Sequence, residues 1–247
     1  MKKRIISLLL CAVLMLGVLP NALAAPAMWD GSVADSFAGG TGTAEDPYQI
    51  ENGAQLAYLA QLVNEGNEEY NAACYELTAD IDLNGSEEQQ WTPIGLEGSS
   101  QNYPFKGQFD GKGHKITGLY INDSNKNGVG LFGRSALSVI RNISVYGSVT
   151  GKSNVGGIVG ANYTGLIENC RNYAAVSGLG SVGGVAGGNR SYNTDGETAD
   201  VNNCVNAGLV QGKSQNVGGI VGQKHQRHNR KLRSQRHNQR RSKSGQQ

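Results

Sequence analysis

Aromatic residues, proline and cysteine are all scarce in this sequence of 247 residues. Aromatic residues make up 6% of it, and there are 5 prolines and 4 cysteines. So little proline excludes a collagen-like or proline-rich disordered chain. Three cysteines lie beyond the leader, Cys74, Cys170 and Cys204, and an odd number does not suit a disulfide framework. Glycine is abundant, at 36 residues, and the apolar residues are mostly valine, isoleucine, leucine and alanine in short runs, which favours many short strands.

The first residues have the three parts of a secretory signal peptide. A basic end, Lys2 to Arg4, precedes an apolar run, Ile5 to Leu19, and Ala22 to Ala24 forms an A-x-A cleavage site. The run is too short to span a bilayer comfortably, so a signal peptide at residues 1–24 is favoured over a membrane anchor helix. We therefore expect a protein that is secreted or at the cell surface of a bacterium, with no transmembrane segment after signal cleavage.

Charge is distributed unevenly along the chain. The leader contains three of the 22 basic residues and the last 25 residues contain nine, while neither contains any of the 20 acidic residues. The remaining body therefore has ten basic residues against 20 acidic ones. The sequence thus predicts an acidic exported body followed by a basic tail of different composition at residues 223–247.

A glycine-rich phrase recurs through the second half of the chain. It reads GVGLFG, VGGIVG, VGGVAG and VGGIVG, and its last glycines are Gly133, Gly160, Gly187 and Gly222. These glycines lie 27, 27 and 35 residues apart. The longer third interval contains NRSYNTDGETAD, a polar stretch that predicts a loop inserted into one coil.

A repeat of about 27 residues without helical periodicity predicts a β-solenoid. One coil of this length accommodates three short strands and three turns. Neighbouring coils then lie about 4.8 Å apart, and equivalent positions stack in inward and outward ladders. The expected fold class is therefore all-β, with coils of about 27 residues.

A second phrase, between the glycine phrases, places one asparagine and one small apolar residue at matching positions. Asn142, Asn169 and Asn203 can form a hydrogen-bonded ladder at a turn, or each can be an independent turn former. Cys170 and Cys204 should occupy the same inward position of adjacent coils. Buried free thiols are favoured there, and a disulfide between them is the alternative.

The pairing of VGGIVG with NC ten residues later resembles the GLUG-motif repeat of large exported bacterial surface proteins. The resemblance covers residues 128–222. It implies a right-handed parallel β-helix. It also implies a surface, adhesive or spacer role more than catalysis.

The mature N-terminal segment, residues 25–70, is turn-rich and predicts one short helix from Gly53 to Asn64. Asn52 is placed to cap that helix, with Gln55 three residues later. Its apolar residues share one face and can cover the open end of a solenoid. Residues 71–127 resemble the entry coils of pectate-lyase-like β-helices, with a strand predicted over Tyr75–Leu83 and another over Ile116–Ile121.

The candidate catalytic residues are the carboxylates Asp80, Asp82 and Asp110. Asp80 and Asp82 are two apart on a predicted strand and should point the same way. A polysaccharide hydrolase would need two such carboxylates flanking the bond, and a lyase would use Ca²⁺ with a basic residue. A solvated strand face with an Asp-Gly turn is the favoured interpretation. No cofactor is expected, and Ca²⁺ at Asp82–Gly85 or Asn193–Glu197 is a weaker hypothesis.

Two functions follow from these patterns. The first is a noncatalytic exported β-helix for cell-surface display, adhesion or ligand binding, with an extracellular glycan or a host surface protein as partner. The alternative is a fragment of a polysaccharide lyase or hydrolase of the pectate-lyase-like class.

The basic tail admits two interpretations. It is a disordered arm that binds nucleic acid through phosphates, or it is the product of a frameshift near Gln223 and Lys224. Read one nucleotide later, permitted codons give NTSGTIGSCAASGTISGGQSQVN, which matches NYTGLIENC from Asn162 at asparagine, glycine, isoleucine and cysteine. We expect no nucleic-acid partner unless the tail is genuine.

Overall fold

The computed structural model describes residues 26–98, 102–191, 198–213 and 215–226. The predicted signal peptide, the hypothesised Ca²⁺ loop at 193–197 and residues 227–247 of the basic tail lie outside these ranges. No helix in the described part of the chain is long and apolar enough to cross a membrane.

The N-terminal segment forms a helical cap on the first coil. It contains strand β1 (Tyr48–Ile50), helix α1 (Gly53–Asn64) and the short helix α2 (Glu68–Asn71). The Asn52 side chain accepts a hydrogen bond from the Gln55 amide at 3.0 Å, and the Gln55 side chain accepts one from the Glu51 amide at 2.9 Å. This reciprocal capping fixes the start of α1 at its predicted residue. The helix buries its apolar side chains, among them Leu56, Leu59, Ala60 and Val63.

Parallel strands stack in four sheets along the chain. The first contains, in order, β1, β2 (Cys74–Leu77), β4 (Gln108–Asp110), β8 (Val139–Arg141), β12 (Leu166–Glu168) and β17 (Asp200–Asn202). The second contains β7 (Phe132–Ala136), β11 (Val159–Tyr163), β16 (Ala186–Ser191) and β21 (Val221–Gln226). The third contains β3 (Ile81–Asp82), β5 (Lys115–Asn122), β9 (Ser144–Gly151), β13 (Arg171–Asn172), β14 (Ala175–Gly178), β18 (Val205–Asn206) and β19 (Val210–Gly212). The fourth contains β6 (Asn127–Val129), β10 (Ser153–Gly156), β15 (Val182–Gly183) and β20 (Val217–Gly218).

This arrangement confirms the expected parallel β-helix. Each complete coil contributes strands to four sheets, whereas three strands were predicted for each coil. The glycine phrase is the reason, because β10 ends at Gly156 and β11 begins only at Val159. The chain turns at Gly156 and Gly157, so each glycine phrase contributes two short strands instead of one.

Inward side chains of successive coils stack in columns. Phe109, Ile140 and Ile167 are in register on the first sheet, and each is at most 1% exposed. Val129, Val155 and Val182 form a similar column on the fourth sheet. Each such side chain contributes roughly 1.5–3 kcal/mol when removed from water. The columns therefore form one continuous core beneath the cap.

The repeated glycines are required by the spacing between coils. A Cβ on Gly160 would lie 2.5 Å from the carbonyl carbon of Gly128, and one on Gly187 would lie 2.3 Å from the amide nitrogen of Val155. Gly133 and Gly222 make equally close approaches to backbone atoms of the neighbouring chain segment, at 2.3 and 2.5 Å. No larger residue fits at these positions without moving a coil.

One of the two strand predictions in the entry coils needs correction. The strand predicted over Tyr75–Leu83 is broken into β2 and β3, because the chain turns a corner at Thr78, whose amide bonds to the Ile50 carbonyl at 2.9 Å. The strand predicted over Ile116–Ile121 is confirmed as part of β5, within which Gly118 has a φ of 66° and the register with β9 shifts. The alternation of buried and exposed residues is lost at both places.

Strand β21 continues into the segment predicted as tail. Gln223, Lys224 and His225 pair with Gly188, Asn189 and Arg190 of β16. Within the described residues, the β-helix register therefore extends through the first four residues of that segment.

Candidate functional site

The Asp110 carboxylate is held by three donors at the end of β4. Its Oδ1 accepts hydrogen bonds from the Lys112 amide at 2.8 Å and the Asn142 side chain at 2.9 Å. Its Oδ2 accepts one from Arg141 Nε at 3.0 Å. Burial alone would raise the pKa of Asp110, but these hydrogen bonds and the Arg141 charge outweigh it and lower the pKa. The group is therefore a fixed anion at neutral pH.

Asp80 lies at the corner before β3 and is held in a similar way. Its Oδ1 is 3.0 Å from His114 Nδ1 and accepts a hydrogen bond from the Lys115 amide at 3.0 Å. Burial would raise the pKa of Asp80, but the Lys115 amide and His114 outweigh it and lower the pKa. Asp82 instead accepts a hydrogen bond from the Asn84 amide at 2.9 Å within its own turn.

The structure does not join these three carboxylates into one site. Among the described residues, no hydrogen bond links any two of Asp80, Asp82 and Asp110, and each has its own partners. The charged groups instead form a ladder on the outer face of the first sheet, where Glu76, Asp110, Arg141 and Glu168 are in register. Lys112 adds an ion pair with Glu76 at 3.1 Å. This arrangement neutralises charge between coils. No group of three or more His, Cys, Asp or Glu side chains in the described part of the chain is placed to hold a metal ion.

The three predicted ladder asparagines occupy equivalent turns. Asn142, Asn169 and Asn203 have φ values of 56°, 53° and 50°, in the left-handed region that asparagine tolerates. The Asn169 side chain donates to Asn142 Oδ1 at 3.3 Å, and Asn142 in turn donates to Asp110. All three residues form turns, and the side chains of Asn142 and Asn169 also link neighbouring coils.

Cys170 and Cys204 lie on adjacent coils, and both are free thiols. Cys170 is fully buried, whereas Cys204 is partly exposed. A hydrogen bond with Cys204, together with burial, raises the pKa of Cys170 well above its usual value. The same hydrogen bond lowers the pKa of Cys204. The two thiols therefore differ in both access and acidity.

Two buried asparagine ladders were missed by the sequence reasoning. The Asn162 side chain accepts a hydrogen bond from the Ser135 hydroxyl at 3.0 Å and donates to Asn189 Oδ1 at 2.8 Å. Asn172 donates to Asn206 Oδ1 at 2.8 Å in the same manner. The sequence does mark these positions. Asn162 and Asn189 each lie two residues after a repeat glycine, and Asn172 and Asn206 each lie two residues after a repeat cysteine.

A polar cluster around Tyr163 was also missed. Its hydroxyl donates to Glu97 at 2.9 Å, and the Arg134 guanidinium lies 4.1 Å from its ring centroid. Burial and the nearby Glu97 carboxylate raise the pKa of Tyr163 to about 12. Glu97 also accepts hydrogen bonds from the Asn154 side chain at 3.1 and 3.2 Å. Glu97 comes from a loop outside the repeat, so no repeat position could reveal it.

The outer face of the third sheet carries an apolar patch, which we call the third-sheet patch. The rings of Tyr146 and Tyr173 stack in parallel, with centroids 4.5 Å apart and planes 6° apart. Tyr173 is 40% exposed, and on the next coil Val205 and Leu209 are 50% and 62% exposed. Val205 is paired in register with Arg171, two residues before Tyr173, so the patch spans two neighbouring coils and includes one arginine position.

Comparison with known proteins yields two curated relatives and no matching family model. A protein of Evansella cellulosilytica described as "Putative Gly-rich membrane protein" is 38% identical over 112 residues. Halomucin of Haloquadratum walsbyi is 36% identical over 135 residues. The matches span 45% and 51% of this chain, but only 12% and 1% of the relatives.

One solved structure shares the fold. It is described as a "putative immunoglobulin A1 protease" from Bacteroides ovatus, with 25% identity and a TM-score of 0.53. The match covers 76% of this chain and 65% of that chain, which is less than two thirds of it. Together the comparisons are consistent with a surface protein of β-helix fold, and they specify no ligand.

Proposed function

We propose that the chain is a noncatalytic exported β-helix repeat protein of the GLUG type, which acts in cell-surface display, adhesion or ligand binding. The regular coils and the description of one relative as a membrane protein support a surface role. The partner is an extracellular glycan or a host surface protein.

The third-sheet patch is the observation that carries this proposal. Outward positions of a solvent-facing sheet are usually polar, and a contiguous exposed apolar patch marks an interaction site. Here a stacked tyrosine pair lies on the third sheet, and Val205 and Leu209 are exposed on the next coil. Stacked aromatic rings offer a rigid apolar surface with hydroxyl groups at the edge, which suits both glycans and protein partners.

The geometry of the carboxylates favours this role over polysaccharide cleavage. A general acid must carry a proton near neutral pH, so its pKa has to be raised. Asp80 and Asp110 have lowered pKa values, and their oxygens are occupied by fixed donors. These residues therefore suit turn stabilisation better than proton transfer.

Attachment assays test the proposed function. The protein without its signal peptide is labelled and incubated with immobilised glycans and with cultured host cells. We expect saturable attachment that falls at least several-fold in the Tyr173→Ser/Leu209→Ser variant. Leu137→Ser is the control, since Leu137 is 61% exposed but lies on a turn away from the patch. Equal attachment by all three proteins would contradict the role of the patch, and polysaccharide cleavage lost in Asp110→Asn would favour the enzyme alternative.

A further inference from the structure

A cavity of about 630 Å³ lies beside the capping helix. Helix α1 forms one side of it through Ala57, Ala60 and Glu65, which share a face of that helix. The segment around Trp29 and the loop from Glu88 to Thr92 form the other sides. A volume of this size is within the range of small-molecule binding sites, which is about 300–1,000 Å³.

The floor of the cavity is apolar and firmly held. The Trp29 and Trp91 rings meet edge to face, with centroids 5.7 Å apart and planes 71° apart. Trp91 donates its indole N–H to the Leu131 carbonyl at 3.0 Å, and Trp29 donates its own to the Ser32 carbonyl at 2.7 Å. Both indole N–H groups are thus satisfied within the protein. Trp91 is 4% exposed and Trp29 is partly buried, so the accessible part of this floor comes mainly from Trp29.

The position of Trp29 depends on a glycine. A Cβ on Gly53 would lie 2.5 Å from the Trp29 Cβ, so the ring packs directly against the start of α1. Gln89 fixes the other side by donating to the Trp29 carbonyl at 2.9 Å. The cavity wall is therefore preformed, which reduces the entropic cost of binding.

The rim of the cavity is anionic. Asp30, Glu65 and Glu88 are exposed and belong to its lining. Glu65 accepts a hydrogen bond from Gln61 at 2.9 Å, and Glu88 accepts one from Ser86 at 3.0 Å, but both donors are neutral. Among the described residues, none of the three carboxylates forms an ion pair, and the lining contains no lysine, arginine or histidine.

We propose that this cavity binds an organic ammonium group, with the carbon skeleton of the ligand on the indole floor and its positive charge at the carboxylate rim. An anionic ligand would be repelled by three uncompensated charges. An amino sugar and a short alkyl diamine share this chemistry. The inference rests on the proposed binding role, for which it names a second site and a ligand class.

Calorimetric titration of the signal-less protein with three small probes tests the inference. The probes are glucosamine, its uncharged analogue N-acetylglucosamine, and cadaverine. We expect millimolar binding of glucosamine that weakens with added salt, and no binding of N-acetylglucosamine. Binding of cadaverine also supports recognition of the ammonium, and its strength relative to glucosamine shows whether a sugar or an alkyl skeleton fits better. Absence of binding by both amines, or equal binding of N-acetylglucosamine, would overturn the inference.

Two variants separate the charge from the cavity. Glu65→Gln should weaken glucosamine binding about three- to fivefold, as expected for one exposed ion pair, while Glu68→Gln, outside the lining, should leave it unchanged. Ala57→Leu keeps every charge but fills the cavity from the side of helix α1, so it should abolish binding. Full binding in Ala57→Leu would contradict the inference. If the protein binds neither amine but still attaches through the third-sheet patch, the inference about the cavity is wrong and the proposed function stands.

Discussion

Asn162 donates its side-chain amide to Oδ1 of Asn189 on the next coil at 2.8 Å, and Asn162 is 0% exposed. The same amide group bonds the Gly165 carbonyl at 2.8 Å, while its oxygen accepts from Ser135 on the preceding coil. One side chain therefore joins three coils and one turn. Because a buried polar group without a partner is costly, this ladder fixes which coil positions can face each other.

Replacing Asn162 by alanine should destabilise the protein by about 2–4 kcal/mol, because it leaves the Ser135 hydroxyl, the Asn189 oxygen and the Gly165 carbonyl without their donor or acceptor. Urea unfolding followed by circular dichroism measures the change. Asn202→Ala is the control, since Asn202 is exposed on the first sheet. That variant should stay within about 0.5 kcal/mol of the parent. Equal effects of the two substitutions would show that the buried ladder carries no special stability.

Gly160→Ala should be among the most damaging single substitutions in the repeat. Its Cβ would lie 2.5 Å from backbone atoms of Gly128 and Val129, so one coil would have to move away from the next. We expect a loss of about 3 kcal/mol or more in the free energy of unfolding. Gly219→Ala is a matched control in the same phrase, because nothing lies within 4 Å of its Cβ position. A fully stable Gly160→Ala protein would contradict the coil spacing described above.

The features that the sequence could predict are those that recur with the repeat. Gly160 and Gly187 recur at one coil length, so the stacking of coils and the inward position of Cys170 could be read directly. Asn162 and Asn189 recur equally, and attention to their position would have revealed the buried ladder. The contact between Glu97 and Tyr163 joins residues 66 apart, one of them outside the repeat, so no periodic signal marks it.

The same limit applies to the cavity beside the cap. Trp29 packs on Gly53 and on Trp91, and these three residues come from separate segments with no shared pattern. The helix itself was predictable, since its capping residues and its apolar face are local features. The candidate carboxylates could be identified from the sequence, but their binding partners could not. The contact between Asp110 and Arg141 depends on the register between coils.

Asp110 should make stability depend on pH in the acidic range. Its pKa is lowered in the folded state below an unfolded value of about 3.9, so its contribution is present above that value and is lost as pH falls through the folded-state pKa. Asp110→Asn should cost about 1–3 kcal/mol at neutral pH, because an amide N–H would then face Arg141.

The cost of Asp110→Asn should shrink below a pH of about 3.9 as the parent carboxylate also becomes neutral. Unfolding by urea across this range measures the difference. Glu45→Gln, an exposed acid-to-amide change, is the control and should stay within about 0.5 kcal/mol at every pH. A cost for Asp110→Asn that is independent of pH would indicate a steric cause.

Cys204 should react with maleimide well before Cys170. Cys204 is partly exposed and its pKa is lowered by the hydrogen bond from Cys170, so more of it is thiolate at neutral pH. Its labelling rate should level off at a lower pH than that of an ordinary thiol, for which the pKa is about 8.5. Mass spectrometry of peptides identifies the labelled site, and Cys204→Ser should remove the fast phase. Fast labelling of Cys170, or a disulfide between the two cysteines in the purified protein, would contradict this assignment.

Lys224 occupies the strand position that asparagine holds in the two preceding coils. It pairs with Asn189, which pairs with Asn162, and the reading frame shifted by one nucleotide places asparagine there. Lys224→Asn should therefore extend the amide ladder and raise the free energy of unfolding by about 1 kcal/mol, the net value of one added hydrogen bond. Lys213→Asn, at an exposed position, controls for the lost charge. Because both variants lose one lysine, a gain confined to Lys224→Asn would show that the amide ladder can extend into β21, and equal behaviour would count against it.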